Sequence, residues 1–133
     1  MTVHAVWPRR KHVVAADPVQ VKHFICDGPL QTAAMVRDKG FYGRRLGLLH
    51  AGIHGCGTIA AFLIWGEIAI EALAVLAVVD FALHYHIDFS KEQIVRRNGW
   101  TTAVPQFWWA LSADQMLHQM TYLVLAWLAF RGV

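Results

Sequence analysis

The chain has 133 residues, 56% hydrophobic and only 16% charged, with a mean hydropathy of +0.38, whereas ordinary soluble domains carry roughly 25% charged residues. This argues against a typical water-soluble enzyme and for one small integral membrane domain spanning 1–133. The formal net charge of +3 comes from short basic clusters without an aromatic-studded basic face or a helix-turn-helix pattern, which argues against nucleic acid as a partner.

Residues 1–17 read as a basic arm (Arg9, Arg10, Lys11) with no apolar stretch of the kind a cleavable signal needs. Asp17 is placed to cap a helix that has Pro18 at its first position. That first helix, 18–36, is a weak membrane segment, interrupted by Lys22, His23 and Asp27 and expected to kink at Pro29, so it is short or re-entrant. After a basic loop at 37–45, residues 46–65 are long and apolar enough to cross a bilayer. Gly47, Ala51 and Gly55 give this second helix a small-residue edge that admits a close neighbour.

Gly66 and Glu67 suggest a tight turn, and 68–88 crosses back as a third helix. A loop at 89–104 leads to the last helix, 105–130, with an interfacial aromatic cluster at Phe107, Trp108 and Trp109. The predicted fold is all-α: an integral membrane bundle of three transmembrane helices plus the short or kinked first one. The loops 37–45 and 89–104 fall on one side and are both basic, which places them in the cytoplasm. The side of the N-terminus is left open. Cys26 and Cys56 lack metal-binding or disulfide spacing and read as buried free thiols.

Each predicted helix carries ionisable residues four apart: His23 and Asp27; His50 and His54; Asp80, His84 and Asp88; Asp114 and His118. Side chains four apart share a helix face, and at about 1.5 Å of rise per residue all of them fall within roughly 20 Å of the basic loops. Charged groups in a membrane each cost about 2.5–3.5 kcal/mol and are usually paired and functional. A divalent cation shared by these faces compensates the carboxylates and accepts imidazole lone pairs. Mixed His and Asp donors suit Zn²⁺, Mn²⁺ or Fe²⁺, as one ion or two.

The candidate metal ligands are His50, His54, His84, Asp88, Asp114 and His118. His23 and Asp27 are the candidate catalytic bases. Gln31, Gln115 and Gln119 read as hydrogen-bonding residues between helices. Lys39 and Lys91, just past the helix ends, are placed to meet an anionic group of a substrate.

The ordered motifs HFxxDxxLQ (His23 to Gln31), LLHxxIH (Leu48 to His54), HxxIDxxK (His84 to Lys91) and DQxxHQ (Asp114 to Gln119), with Lys39 between the first two, resemble a family of small bacterial and phage membrane proteins of unknown function. The likeness covers about residues 20–120 and departs at Gly28 and Pro29. More distantly the chain is similar to inner-membrane metal-dependent hydrolases.

The expected function is therefore a membrane-embedded metal-dependent hydrolase working at the cytoplasmic side, on a lipid-linked or phosphorylated substrate. Three alternatives stay open. The first is a haem-binding electron carrier ligated by His50, His84 and His118. The second is an ion- or proton-translocating protein. The third is a non-catalytic membrane subunit or assembly partner. Homo-oligomers or a larger membrane complex are compatible with each of them.

Overall fold

The computed structural model describes residues 9–65 and 68–131. The start of the basic arm and the turn expected at Gly66 and Glu67 lie outside them. Among the described residues there are five helices and no strand: α1 (Arg9–Asp27), α2 (Ala33–Lys39), α3 (Arg45–Trp65), α4 (Ile70–Arg97) and α5 (Pro105–Arg131). The all-α class holds, and three element bounds differ from expectation.

α1 starts at Arg9 and passes through Pro18, so Asp17 does not begin a helix and Pro18 does not occupy its first turn. The residues before the proline include Ala15 and Ala16, the strongest of helix formers. At the other end, Pro29 stops the helix instead of kinking it, because the residue before a proline is pushed away from helical geometry. The Gly28 N–H donates to the Phe24 carbonyl at 2.9 Å and the Leu30 N–H to the Ile25 carbonyl at 3.0 Å, closing α1. Thr32 then opens a separate helix, its hydroxyl accepting from the Met35 N–H at 3.2 Å. The segment expected as one helix over 18–36 is thus a long helix, a turn and a short α2.

α4 runs to Arg97 rather than stopping near Asp88. Apolarity fades there while Lys91, Glu92, Gln93, Arg96 and Arg97 keep good helix propensity, and the basic last turn suits the helix dipole. Asn98 and Gly99, the latter at φ +63°, finish it. The extra turns grip the α2–α3 connection: Gln93 Nε2 and Arg96 Nη1 donate to the Gly40 carbonyl at 2.5 and 2.9 Å. The two basic stretches therefore meet at one end of the molecule.

The long helices form a ring in which α1 packs on α3, α3 on α4, α4 on α5 and α5 on α1, with α2 against α3 and α4. α3 and α4 approach closely at Gly55, where a Cβ would lie 3.0 Å from the Ala77 carbonyl oxygen. The half of the bundle remote from the basic end is filled by Val19, Phe62, Leu73, Leu76, Tyr122 and Leu125. The half near it buries His50, His54, His84, Asp88, Asp114 and His118. Outward faces are apolar, with Phe24, Leu63, Ile64, Val78, Trp109 and Leu123 all exposed. Helices α3 and α4 are long and apolar enough to cross a membrane. In α5 the apolar run is broken by Ser112, Asp114, Gln115, His118 and Gln119, so composition alone supports two spans rather than the expected three.

Candidate metal centre

Facing ladders from different helices converge near the basic end. Asp27 ends α1, His50 and His54 stand on α3, His84 and Asp88 on α4, and Asp114 and His118 on α5. One donor atom from each of Asp27, His50, His54 and His84 lies within 4.8 Å of all the others, and His84, Asp88 and His118 form a second such group. His84 belongs to both.

The spacings match coordination. Bonds of about 2.0–2.1 Å in tetrahedral geometry set donor atoms roughly 3.4 Å apart. Asp27 Oδ1 lies 3.0 Å from His50 Nε2, 3.2 Å from His54 Nε2 and 4.0 Å from His84 Nε2. His50 Nε2 and His84 Nε2 are 3.1 Å apart. In the second group, Asp88 Oδ2 is 3.2 Å from His84 Nε2 and Asp88 Oδ1 is 3.5 Å from His118 Nε2. Asp114 flanks this group, its Oδ1 3.6 Å from His118 Nε2.

Of the facing atoms, His118 Nε2 and Asp114 Oδ1 are buried with no hydrogen-bond partner among the described residues, as are the Nδ1 atoms of His50 and His84 on the far side of their rings. Buried polar atoms are rarely left so. An imidazole nitrogen without a partner, held 3.5 Å from Asp88 Oδ1, is what a cation's donor looks like. The set fits a borderline ion such as Zn²⁺ or Mn²⁺/Fe²⁺. It does not fit haem, because the His54 and His84 rings stack at 3.5 Å and the His84 and His118 rings at 4.2 Å, which leaves no slot for a macrocycle between them.

A family model described as a protein of unknown function (DUF3307) matches residues 19–132. The chain belongs to the DUF3307 family. No curated protein and no solved structure matches it. The matched stretch of this DUF3307 chain contains every residue of both groups.

His23 and Asp27, expected as bases, sit differently. Asp27 joins the first ligand group. His23 stands behind it, with Nε2 3.1 Å from Asp27 Oδ2 and 3.1 Å from Gln115 Oε1. Two acceptors at Nε2 require its proton there, so Nδ1 accepts from the Tyr122 hydroxyl at 2.6 Å. Both nitrogens being engaged, His23 orients Asp27. Asp80 stands outside both groups: its Oδ2 takes hydrogen bonds from Lys22 Nζ at 2.7 Å and Thr58 Oγ1 at 2.5 Å, while its Oδ1 is buried without a partner among the described residues.

Lys39 is more central than its place in the sequence suggests. It is buried on α2, with Nζ 2.9 Å from Asp88 Oδ2 and 3.9 Å from Asp27 Oδ1, and it also donates to Gln31. Lys91 pairs with Glu92 beside Asp114. Of the two thiols, Cys26 is buried as expected and Cys56 is exposed.

Sequence reasoning missed Lys22 as the partner of Asp80, and missed Thr58 and Tyr122 altogether. The signal was present: 50, 54, 58 and 114, 118, 122 extend the four-residue ladders by one turn. Gly57 was a further pointer, since a Cβ there would lie 2.6 Å from Lys22 Cγ; glycine is what lets the lysine stem pass between α1 and α3.

Proposed function

We propose that this protein is a membrane-embedded, metal-dependent hydrolase with a two-ion site opening at the basic, cytoplasmic end of the bundle in a bacterial inner membrane. The observation that carries it is the pair of donor groups joined at His84, buried inside a shell of exposed apolar residues. α3 and α4, and α5 with its exposed Leu123, Val124 and Trp127, would make the three crossings.

Charge supports the nuclearity. With neutral imidazoles, Asp27, Asp80, Asp88 and Asp114 face only Lys22 and Lys39 within the buried cluster. One divalent ion balances that deficit, and a second attracts a dianionic group such as a phosphate. Bound ions of this kind supply an activated water and neutralise charge on a phosphoryl oxygen.

The chain's own groups supply the rest. A cavity of about 230 Å³ lined by Asp27, Lys39, Asp88, Lys91, Asp114 and Gln115 opens onto the ligands. Lys39 and Lys91 there hold the substrate's anionic oxygens. Asp114, with its partnerless Oδ1, takes a proton from water as the water oxygen bonds to phosphorus and the bond to the leaving oxygen breaks. Lys91 donates a hydrogen bond to that departing oxygen. His23 keeps Asp27 in place through Nε2. A translocation role is less well supported, since it needs a polar path through the half packed with Phe62, Leu76 and Leu125.

Protein purified without chelators should hold about two equivalents of Zn, Mn or Fe by elemental analysis and should hydrolyse phosphate esters until the metal is stripped. A wild type free of metal under those conditions overturns the proposal.

A further inference from the structure

Beside the polar cavity lies a second of about 270 Å³, between α4 and α5, walled by Ile87, Ile94, Trp100, Trp109, Ala113 and Leu117. Its lining is almost wholly apolar. The two cavities share Lys91 and Asp114, so an apolar trough and a polar chamber lined by Asp27, Asp88, Asp114, Lys39 and Lys91 adjoin at the residues placed closest to the bond to be broken. Small side chains make the trough: Ala110 and Ala113 stand on α5 where larger residues would close it. Its rim is exposed at Ile94, Trp109 and Leu117, on the outward side of the α4–α5 seam.

Resting on the hydrolase reading above, we infer that the substrate is an anionic amphiphile, a phosphate-headed lipid whose hydrocarbon chain lies in the α4–α5 trough while its headgroup enters the chamber beside Lys39 and Lys91. A soluble phosphate ester needs the chamber but has no use for an apolar trough abutting it. A neutral lipid needs the trough but offers no anionic oxygen to Lys39, to Lys91 or to the ions of the hydrolase reading. Only a molecule with both parts uses the junction, and it can enter sideways from the bilayer without leaving the apolar phase. Burial of the hydrocarbon chain also supplies binding energy remote from the reacting bond, which can be used to position the phosphate.

The test uses the full-length protein in detergent with dodecyl phosphate carrying a photoreactive diazirine near the chain end, read by mass spectrometry and separately from turnover. Crosslinks are expected at 87–94 and 100–117, displaced by dodecyl phosphate and not by dodecanol. Ala113→Phe, which fills the trough, should weaken that displacement tenfold or more while leaving metal content and hydrolysis of a short ester such as methyl phosphate unchanged. Ala110→Leu serves if the first variant does not fold. Crosslinks spread over all outward faces, or unchanged in both variants, overturn the assignment. Equal displacement by dodecanol overturns the role of the phosphate. Trough-specific labelling without turnover of any ester supports the amphiphile site and refutes the hydrolase reading, so the two fail separately.

Discussion

The two halves of the bundle are built from the same helices and do opposite things. On α3, Phe62 and Ala61 sit in the apolar half while His50 and His54, two to three turns earlier, sit in the polar half. On α5, Leu125 and Tyr122 pair with the first, His118 and Asp114 with the second. Packing in the apolar half needs only shape. The polar half carries ionisable groups whose burial costs several kcal/mol each, with donor atoms left partnerless. Stability therefore resides mainly in one half, and the cost of the other is what the proposed ions would offset.

His84→Ala breaks this division most severely on the binding side. It removes the residue common to both donor groups, so both ions should be lost together, with a fall in metal affinity exceeding the roughly 10–100-fold typical of losing an outer partner. His118→Ala should spare the first group and halve the metal content. Phe62→Ala is the mirror image: about 3–5 kcal/mol of stability lost, with the metal stoichiometry intact. Elemental analysis and detergent-phase thermal unfolding on the same three preparations check all of this. Loss of both ions from His118→Ala would show one joint site rather than two.

Lys22 and Asp80 sharpen the comparison, because they lie in the polar half and pair with each other, yet Lys22 Nζ also reaches His54 Nδ1 at 3.4 Å. Asp80→Ala leaves the Lys22 ammonium buried without its counter-charge, and breaking such a pair costs about 3–5 kcal/mol. Removing both charges, as Lys22→Met with Asp80→Leu, should restore most of that loss. Metal content should hardly change in Asp80→Ala, whereas the double variant, which also removes the Lys22 contact to His54 Nδ1, should lose affinity by no more than the roughly 10–100-fold of an outer partner. Complete loss of metal from Asp80→Ala alone would make the pair part of the binding site.

Much of this is legible in the sequence. That His50, His54, His84, Asp88 and His118 gather in one buried cluster follows from spacing alone, because His and Asp repeated every four residues on apolar helices are costly to bury singly. The fate of each partner is not legible, since Asp80 and Asp88 look alike on α4 and only the path of Lys22 past Gly57 separates a neutralised carboxylate from a ligand. Lys39 reads as a loop residue because α2 is too short to show a periodicity. The last turns of α4 escape a reading guided by apolarity, whereas propensity and the grip of Gln93 and Arg96 on Gly40 decide them.

Stripping the ions tests how much stability the polar half lends once it is occupied. A ligand held at 100 times its dissociation constant stabilises by about 2.7 kcal/mol, so chelation should lower the wild-type unfolding temperature. In His84→Ala, already without ions, the chelator should have no effect. Equal destabilisation of both proteins would mean that the chelator acts elsewhere.

The smallest effect belongs to Gly43, which sits at the polar end without belonging to the site. Its φ of +77° is a left-handed conformation that costs a residue with a Cβ about 1–2 kcal/mol. A Cβ there meets nothing within 4 Å, so the penalty of Gly43→Ala is purely conformational. Its N–H donates to the Tyr85 hydroxyl at 2.6 Å, and alanine retains that bond. The variant should unfold slightly earlier than wild type, with metal content and metal affinity unchanged within twofold. A larger change in affinity would mean that the α2–α3 connection carries strain into the site through Lys39, and that the boundary of the binding half must be redrawn to include α2 as a moving part.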